Sequence, residues 1–181
     1  ISIVRSEPDF PAAIELAFEH DDKLLVEQYV SGREVECSVL GSEEPAASLV
    51  GEIVPLKADW YDFSSKYDED GMELVVPARI PAGQAARVQE LAVRSFVACG
   101  CEGMARVDFL YEEGGRGPLL NEINTIPGFT PISMYPKLWA ASGLPYDELI
   151  DELVALALER HERRTKTRRT SRTTRDALTE G

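Results

Sequence analysis

Arg106, Asp108, Glu122 and Asn124 stand at alternating positions in the stretch from Met104 to Thr130, MARVDFLYEEGGRGPLLNEINTIPGFT. Side chains in a strand alternate faces with period two, so Arg106 and Asp108 share one face of a strand, as do Glu122 and Asn124. Paired as a hairpin around the glycine-rich turn, the two strands can bring one cationic group and three oxygen ligands to a point. Those oxygens, with neither sulfur nor imidazole, suit magnesium or manganese rather than zinc. Magnesium keeps water and takes only one or two carboxylates with substrate phosphates, so the half-made site implies a nucleotide. The plainer alternative is a set of acids solvated near a turn. Against it, Glu122 and Asn124 are embedded in LLNEINTIPG, and an acid among apolar neighbours needs a partner.

The other groups also have two readings. Arg106 is either a structural partner of Asp108 or the planar guanidinium that holds transferring phosphoryl charge. Pro127-Gly128, ahead of Thr130-Pro131 and a helix, is either a tight turn or a cradle of bare amides for an oxyanion or carboxylate, with Ser133 near the helix entry. His20 and His161 assemble no Ser/His/Asp or Cys/His pairing, so covalent hydrolase chemistry is poorly supported.

The elements that must position these groups follow from periodicity. Pro8 to His20 reads as an amphipathic helix burying Ile14, Phe18 and Leu16 or Ala17. Lys23–Val30 reads as a strand and Glu34–Leu40 as a second, with Val35, Cys37 and Val39 alternating; Ala46–Pro55 returns as a third. From Lys57 to Met72 the pattern disappears into KADWYDFSSKYDEDGM, a compact lid-like loop containing Lys66. Glu73–Ala78 is a short strand. Pro81–Cys99 is the clearest helix, with Ala85, Val88, Leu91, Ala92, Phe96 and Cys99 on the repeat and Gly100 ending it. Ser133–Ala141 and Pro145 to about Arg163 are further helices, and the remaining tail is too polar to expect order. Short strands and helices over a mixed, largely antiparallel sheet give an α+β fold.

Composition sets the outer bounds. With 44% hydrophobic and 28% charged residues, the chain is ordinary for a soluble globular protein. No apolar run reaches the roughly 20 residues a membrane span needs, so no membrane partner is expected and the cytoplasm is the simplest location. Three cysteines without zinc spacing fit buried thiols in a reducing compartment better than a redox Cys99/Cys101 pair. The net charge of -13 is uneven: residues 160–181 hold 8 Lys/Arg against 3 Asp/Glu, leaving 11 against 29 in the preceding body. Such a body repels phosphate backbones, so nucleic acid is not expected as a partner. The basic tail reads as a solvated extension rather than a contact for an acidic partner. The opening Ile1-Ser2-Ile3-Val4, with no Met and no capping signal, suggests a piece of a longer protein.

The motifs LVEQYVSGREVECSVLG, GEIVP, YDFSSKYDEDG, GCEGMARVDF and NEINTIPGFTPISMYPKLW resemble the C-terminal half of the D-alanine-D-alanine ligases of the ATP-grasp superfamily, from about Glu15 to His161. The resemblance implies residues 1–31 as the end of a central ATP-grasp subdomain and 32–161 as the C-terminal catalytic domain. The lid loop would then span about 55–73, with a disordered tail over 162–181. It implies ATP-dependent ligation of two D-alanines through a D-alanyl phosphate, for peptidoglycan precursor synthesis. It further implies two magnesium ions, manganese being possible, on Asp108, Glu122 and Asn124, with Glu122 bridging. Arg106 and the Gly128 amide would hold the transferring phosphate and the oxyanion, and Ser133 with the Met134 amide the second D-alanine carboxylate. Glu27 and the Val30 backbone would face adenine, Glu34 the ribose and Lys66 the γ-phosphate, while Tyr67 would close the lid. Gln28 departs from the Lys found in many members, and Tyr67 is similar to ligases taking D-alanine second. Ligases using D-serine or D-lactate, or a non-catalytic nucleotide-binding remnant, are the alternatives. The family's N-terminal domain and phosphate-covering loop find no match here, so negligible activity is expected of this piece alone. The whole enzyme is expected to be a homodimer.

Overall fold

The alternation of Glu34, Glu36 and Ser38 with Val35, Cys37 and Val39 gives one strand a polar face and an apolar face, and the sheet is built around that strand. In a computed structural model, which describes residues 1–55 and 72–179 with side chains through residue 166, it runs as β1 over Arg33–Gly41. The chain divides into two compact units, Ile1–Val30 and Ser31–Gly181.

In the first unit a single 3-10 turn, Glu7–Asp9, leads into α1, Phe10–Phe18. The helix is shorter than expected and buries no residue completely; Leu16 and Phe18 are exposed. A unit of this size has too little chain to cover a helix face by itself. Lys23–Val30 forms no strand, contrary to its composition, and Leu25, Val26 and Tyr29 are exposed. β propensity makes a strand only where a ladder partner takes up its amides.

The second unit contains β1, β2 (Ala46–Pro55), β3 (Met72–Val75), α2 (Ala82–Ala98), β4 (Gly103–Glu112), β5 (Gly117–Asn124), α3 (Met134–Ala141) and α4 (Tyr146–Thr179). The five strands form one sheet in the order β3-β2-β1-β4-β5, every pairing antiparallel. This is the α+β architecture expected. The third strand ends at Val75 rather than Ala78, just before Pro77, whose ring removes a ladder donor.

Each sheet face meets a different helix. On the apolar face, Val88, Ala92 and Phe96 of α2 recur at helical spacing and pack on Val35, Cys37, Val39, Val107 and Phe109. Cys99, expected on that stripe, is exposed because the helix has ended at Ala98. Burial pushes the Cys37 thiol up to about 12, so it stays neutral as a core group. At the rim of this face Arg33 donates to Glu52 through Nε and Nη2, both at 2.7 Å, and the Arg79 amide donates to the same carboxylate at 3.2 Å. The Arg33 hydrogen bonds hold the Glu52 carboxyl below its ordinary pKa. Its contribution is therefore fully present above the unfolded value of about 4.3 and is lost as pH falls through the depressed value. Glu52→Gln is expected to cost about 2 kcal/mol at pH 7, a deficit that shrinks toward pH 3. Urea titrations of both proteins across that range check the sign.

On the polar face α3 is tied down by the Tyr135 hydroxyl, which donates to the Val39 carbonyl at 3.0 Å, and by the Ser38 hydroxyl, which donates to the Tyr135 carbonyl at 3.3 Å. Gly51 permits the approach: a Cβ there would lie 2.8 Å from Leu138 Cδ2 and 2.9 Å from Met134 Sδ. Tyr135, Trp139 and Leu149 form a second core with Leu40, Met104 and Phe129. Tyr135→Phe is expected to lose about 1 kcal/mol, one buried hydrogen bond, in chemical denaturation.

The helix α4 continues to Thr179, through the segment expected to be disordered. No Gly or Pro interrupts residues 146–180, and extending an established helix costs far less than starting one. Its middle is held by ion pairs from Arg160 and Arg163 to Glu102. Among the described residues no helix is long and apolar enough to cross a membrane.

Candidate active site

The β4–β5 hairpin turns through Glu112 to Gly117, with Gly114 and Gly117 at positive φ of 72° and 78°. The Glu112 carboxylate accepts from the Arg116 amide at 3.1 Å and from its Nε at 2.8 Å, and these bonds hold its pKa down to about 2. From this turn the register runs Leu110 opposite Leu119 and Phe109 opposite Leu120, and it then shifts. Had it continued unbroken, Asp108 would face Asn121, and Glu122 would lie on the apolar face beside Val107. A bulge at Asn121 instead places Asp108 opposite Glu122 and Arg106 opposite Asn124. One extra residue thus brings the four groups to a common face.

The next strand extends the arrangement. Glu36 lies opposite Asp108 and Ser38 opposite Arg106, so Glu36, Asp108 and Glu122 form one row across three strands and Ser38, Arg106 and Asn124 the adjacent row. Arg106 Nε and Nη2 donate to the two Asp108 oxygens, both at 2.8 Å, and Nε lies 3.2 Å from Glu36 Oε2. Asp108 and Glu36 are each 2% exposed, whereas Glu122 is open to solvent. Burial by itself would lower the Arg106 pKa. The hydrogen bonds to Asp108 and the charges of Glu36, Asp108 and Glu122 outweigh it and hold the group above the ordinary arginine value. Arg106 is a permanent cation set among three carboxylates.

Glu36 escaped the sequence reading, although its parity placed it opposite the Val35-Cys37-Val39 stripe. The missing information was that β1 lies beside β4. Glu34 occupies the same face two residues before Glu36 on β1 and pairs with Leu110. Gly128, Ser133 and Met134 also come together. The Ser133 hydroxyl accepts from the Thr130 amide at 3.1 Å and shares a 2.8 Å hydrogen bond with the Thr130 hydroxyl. A Cβ on Gly128 would lie 3.1 Å from that same Ser133 oxygen. Met134 opens α3 and is nearly buried. The Asn124 side-chain oxygen accepts from the Ile126 amide at 3.1 Å and retains a second lone pair. Glu27 and Val30 belong to the first unit, and Lys66, Tyr67 and the rest of the lid loop between 56 and 71 lie outside the described residues.

Among the described residues no three His, Cys, Asp or Glu side chains stand grouped as a finished metal site. The donors nevertheless fit a hard divalent cation that completes its shell elsewhere. Asp108 and Glu122 are neighbouring carboxylates with the Asn124 amide alongside, and phosphate oxygens and water commonly supply the rest. Such a surface can bind a phosphorylated ligand through a cation while Arg106 contacts its charge directly.

A family model described as D-ala D-ala ligase C-terminus matches residues 1–155. The D-alanine-D-alanine ligase A of Escherichia coli strain K12 is 53% identical over 163 residues, 89% of this chain and 44% of that protein. The structure of the D-alanine-D-alanine ligase from Coxiella burnetii superposes with a TM-score of 0.83 at 40% identity, covering 96% of this chain and 45% of that one. The Bacillus anthracis D-alanine-D-alanine ligase complexed with ATP gives 0.73 at 28% identity, over 90% and 52%. The chain thus spans less than half the length of the curated relatives it matches. It belongs to the D-alanine-D-alanine ligase family, whose C-terminal part it matches in sequence and in fold.

Proposed function

We propose that this chain is the nucleotide- and metal-binding part of an ATP-dependent D-alanine-D-alanine ligase serving peptidoglycan precursor synthesis, the activity being that of the full-length protein. The observation that carries the reading is the register that sets Asp108 against Glu122 and Arg106 against Asn124 on one sheet face. An ATP complex of a relative supports the nucleotide.

In the reaction, a carboxylate oxygen of the first D-alanine bonds to the γ-phosphorus of ATP and ADP leaves. The amino nitrogen of the second then bonds to the acyl carbon, and phosphate and a proton depart. Asp108, Glu122 and Asn124 would hold two magnesium or manganese ions, which when bound supply neutralisation of phosphate charge. Arg106, cationic at every pH of interest, contacts the transferring phosphate and the tetrahedral oxyanion. The Gly128 amide donates to that oxyanion, and Ser133 with the Met134 amide orients the second carboxylate. Glu27 and the Val30 backbone would face adenine, Glu34 the ribose and Lys66 the γ-phosphate, and Tyr67 would close the lid over the substrates. The compartment is the cytoplasm and the assembly a homodimer, with D-alanine and ATP as ligands and neither nucleic acid nor membrane as partner.

The full-length protein, given ATP, Mg2+ and D-alanine, is expected to form D-alanyl-D-alanine in step with ADP, and to prefer D-alanine in competition with D-serine or D-lactate. A mixed product dominated by a competitor would overturn the second-substrate assignment. ATP binding with no ligated product would identify a non-catalytic remnant.

A further inference from the structure

The ligand assignments leave one buried carboxylate of the polar face without a task. Glu36 is 2% exposed, pairs across the strands with Asp108, and brings Oε2 to 3.2 Å from Arg106 Nε. Asp108 takes the two donors Nε and Nη2 at 2.8 Å. One guanidinium is therefore held by carboxylates from two adjacent strands, and the nearer of these is the proposed metal ligand.

Those two duties of Asp108 conflict. A divalent cation on Asp108 repels a guanidinium bound to the same oxygens, and a poorly solvated site screens that repulsion weakly. With Asp108 as its only anchor, Arg106 would swing toward solvent when the cation arrives. Glu36 lies on the opposite side of Asp108 from Glu122, so it attracts Arg106 away from the place where Asp108 and Glu122 meet.

We propose that Glu36 is a positioning residue that keeps Arg106 in the site when Asp108 is given over to a divalent cation. The proposal rests on the assignment of Asp108 and Arg106 made above. It separates two functions that would otherwise compete for one carboxylate: Asp108 serves the cation, and Glu36 retains the phosphate-contacting arginine. A purely structural Glu36 would instead hold Arg106 equally with and without ligand.

The test uses the 181-residue chain and the Arg106 Nε–Hε resonance, assigned by its loss in Arg106→Lys, with hydrogen exchange measured before and after saturation with Mg2+ and ADP. In the wild type the resonance is expected to exchange slowly in both states. In Glu36→Gln it is expected to stay slow without ligand, because Asp108 still holds it, and to exchange about tenfold faster or more once Mg2+ and ADP are bound, the loss of one charge-assisted hydrogen bond. Slow exchange in both states of Glu36→Gln overturns the proposal. Fast exchange already present without ligand also overturns it, by making Glu36 a structural partner only. Should Glu36→Gln fail to fold, Glu36→Asp is read in the same way, with an intermediate acceleration expected and unchanged exchange counting against. If Mg2+ and ADP leave the backbone amide signals of Asp108 and Glu122 unmoved in the wild type, the site assignment itself fails and takes the proposal with it. A failure confined to Glu36 leaves that assignment standing.

Discussion

Glu122→Gln, made in a full-length ligase carrying this chain, is expected to lower kcat by about 10²-fold or more while leaving stability within about 0.5 kcal/mol. The two halves of that expectation have separate physical origins. Glu122 is solvent-exposed on β5, and the Arg106 guanidinium that its charge supports keeps Asp108 and Glu36 when that charge is removed. On the sheet it faces Asp108 directly, and under the proposed metal role Gln keeps its size while withdrawing the anionic oxygen a hard cation prefers. Steady-state kinetics with ATP and D-alanine beside a urea titration separates the two effects. An unchanged kcat would reject Glu122 as a ligand, and a large loss of stability would reject the claim that its role is confined to the site.

Arg106→Ala is expected to behave in the opposite way, damaging the fold as well as the chemistry. Its guanidinium is the cation beside Glu36 and Asp108, each 2% exposed, and breaking a buried ion pair from one side costs about 3–5 kcal/mol because charge is left behind. Arg106→Lys restores a charge but not the paired Nε and Nη2 donors, so it should recover part of the stability and little of the activity. Denaturation midpoints for the three proteins check the order wild type, Lys, Ala. An Ala variant as stable as the wild type would show that the buried carboxylates are neutralised by something other than Arg106.

The contrast between these two residues indicates what the sequence could reveal. Period-two patterns announced β1, β2 and the β4–β5 hairpin, and the Val88-Ala92-Phe96 spacing announced α2, because those elements bury one face and their composition must alternate accordingly. Asp108 and Glu122 were legible for the same reason, as polar residues at regular positions in apolar strands. Four features were not. The bulge at Asn121 leaves no compositional mark, yet it decides which face Glu122 takes. Glu36 acquires its meaning only from the pairing of β1 with β4, a contact between strands some 70 residues apart in sequence. Lys23–Val30 has the composition of a strand but forms none among the described residues, while α4 runs on through a polar sequence because nothing in it stops a helix. Each miss concerns a non-local partner or the propagation of an element already formed, neither of which local periodicity encodes.

The central claim is that the facing pair Asp108 and Glu122 binds a divalent cation together with nucleotide phosphate. The most direct measurement is electron paramagnetic resonance of Mn2+ titrated into the 181-residue chain with ATP, compared with the doubly substituted D108N/E122Q chain whose folding has been verified. The account predicts that the wild-type chain depletes the Mn2+·ATP signal and that the double variant does not. Equal depletion by both chains would contradict it.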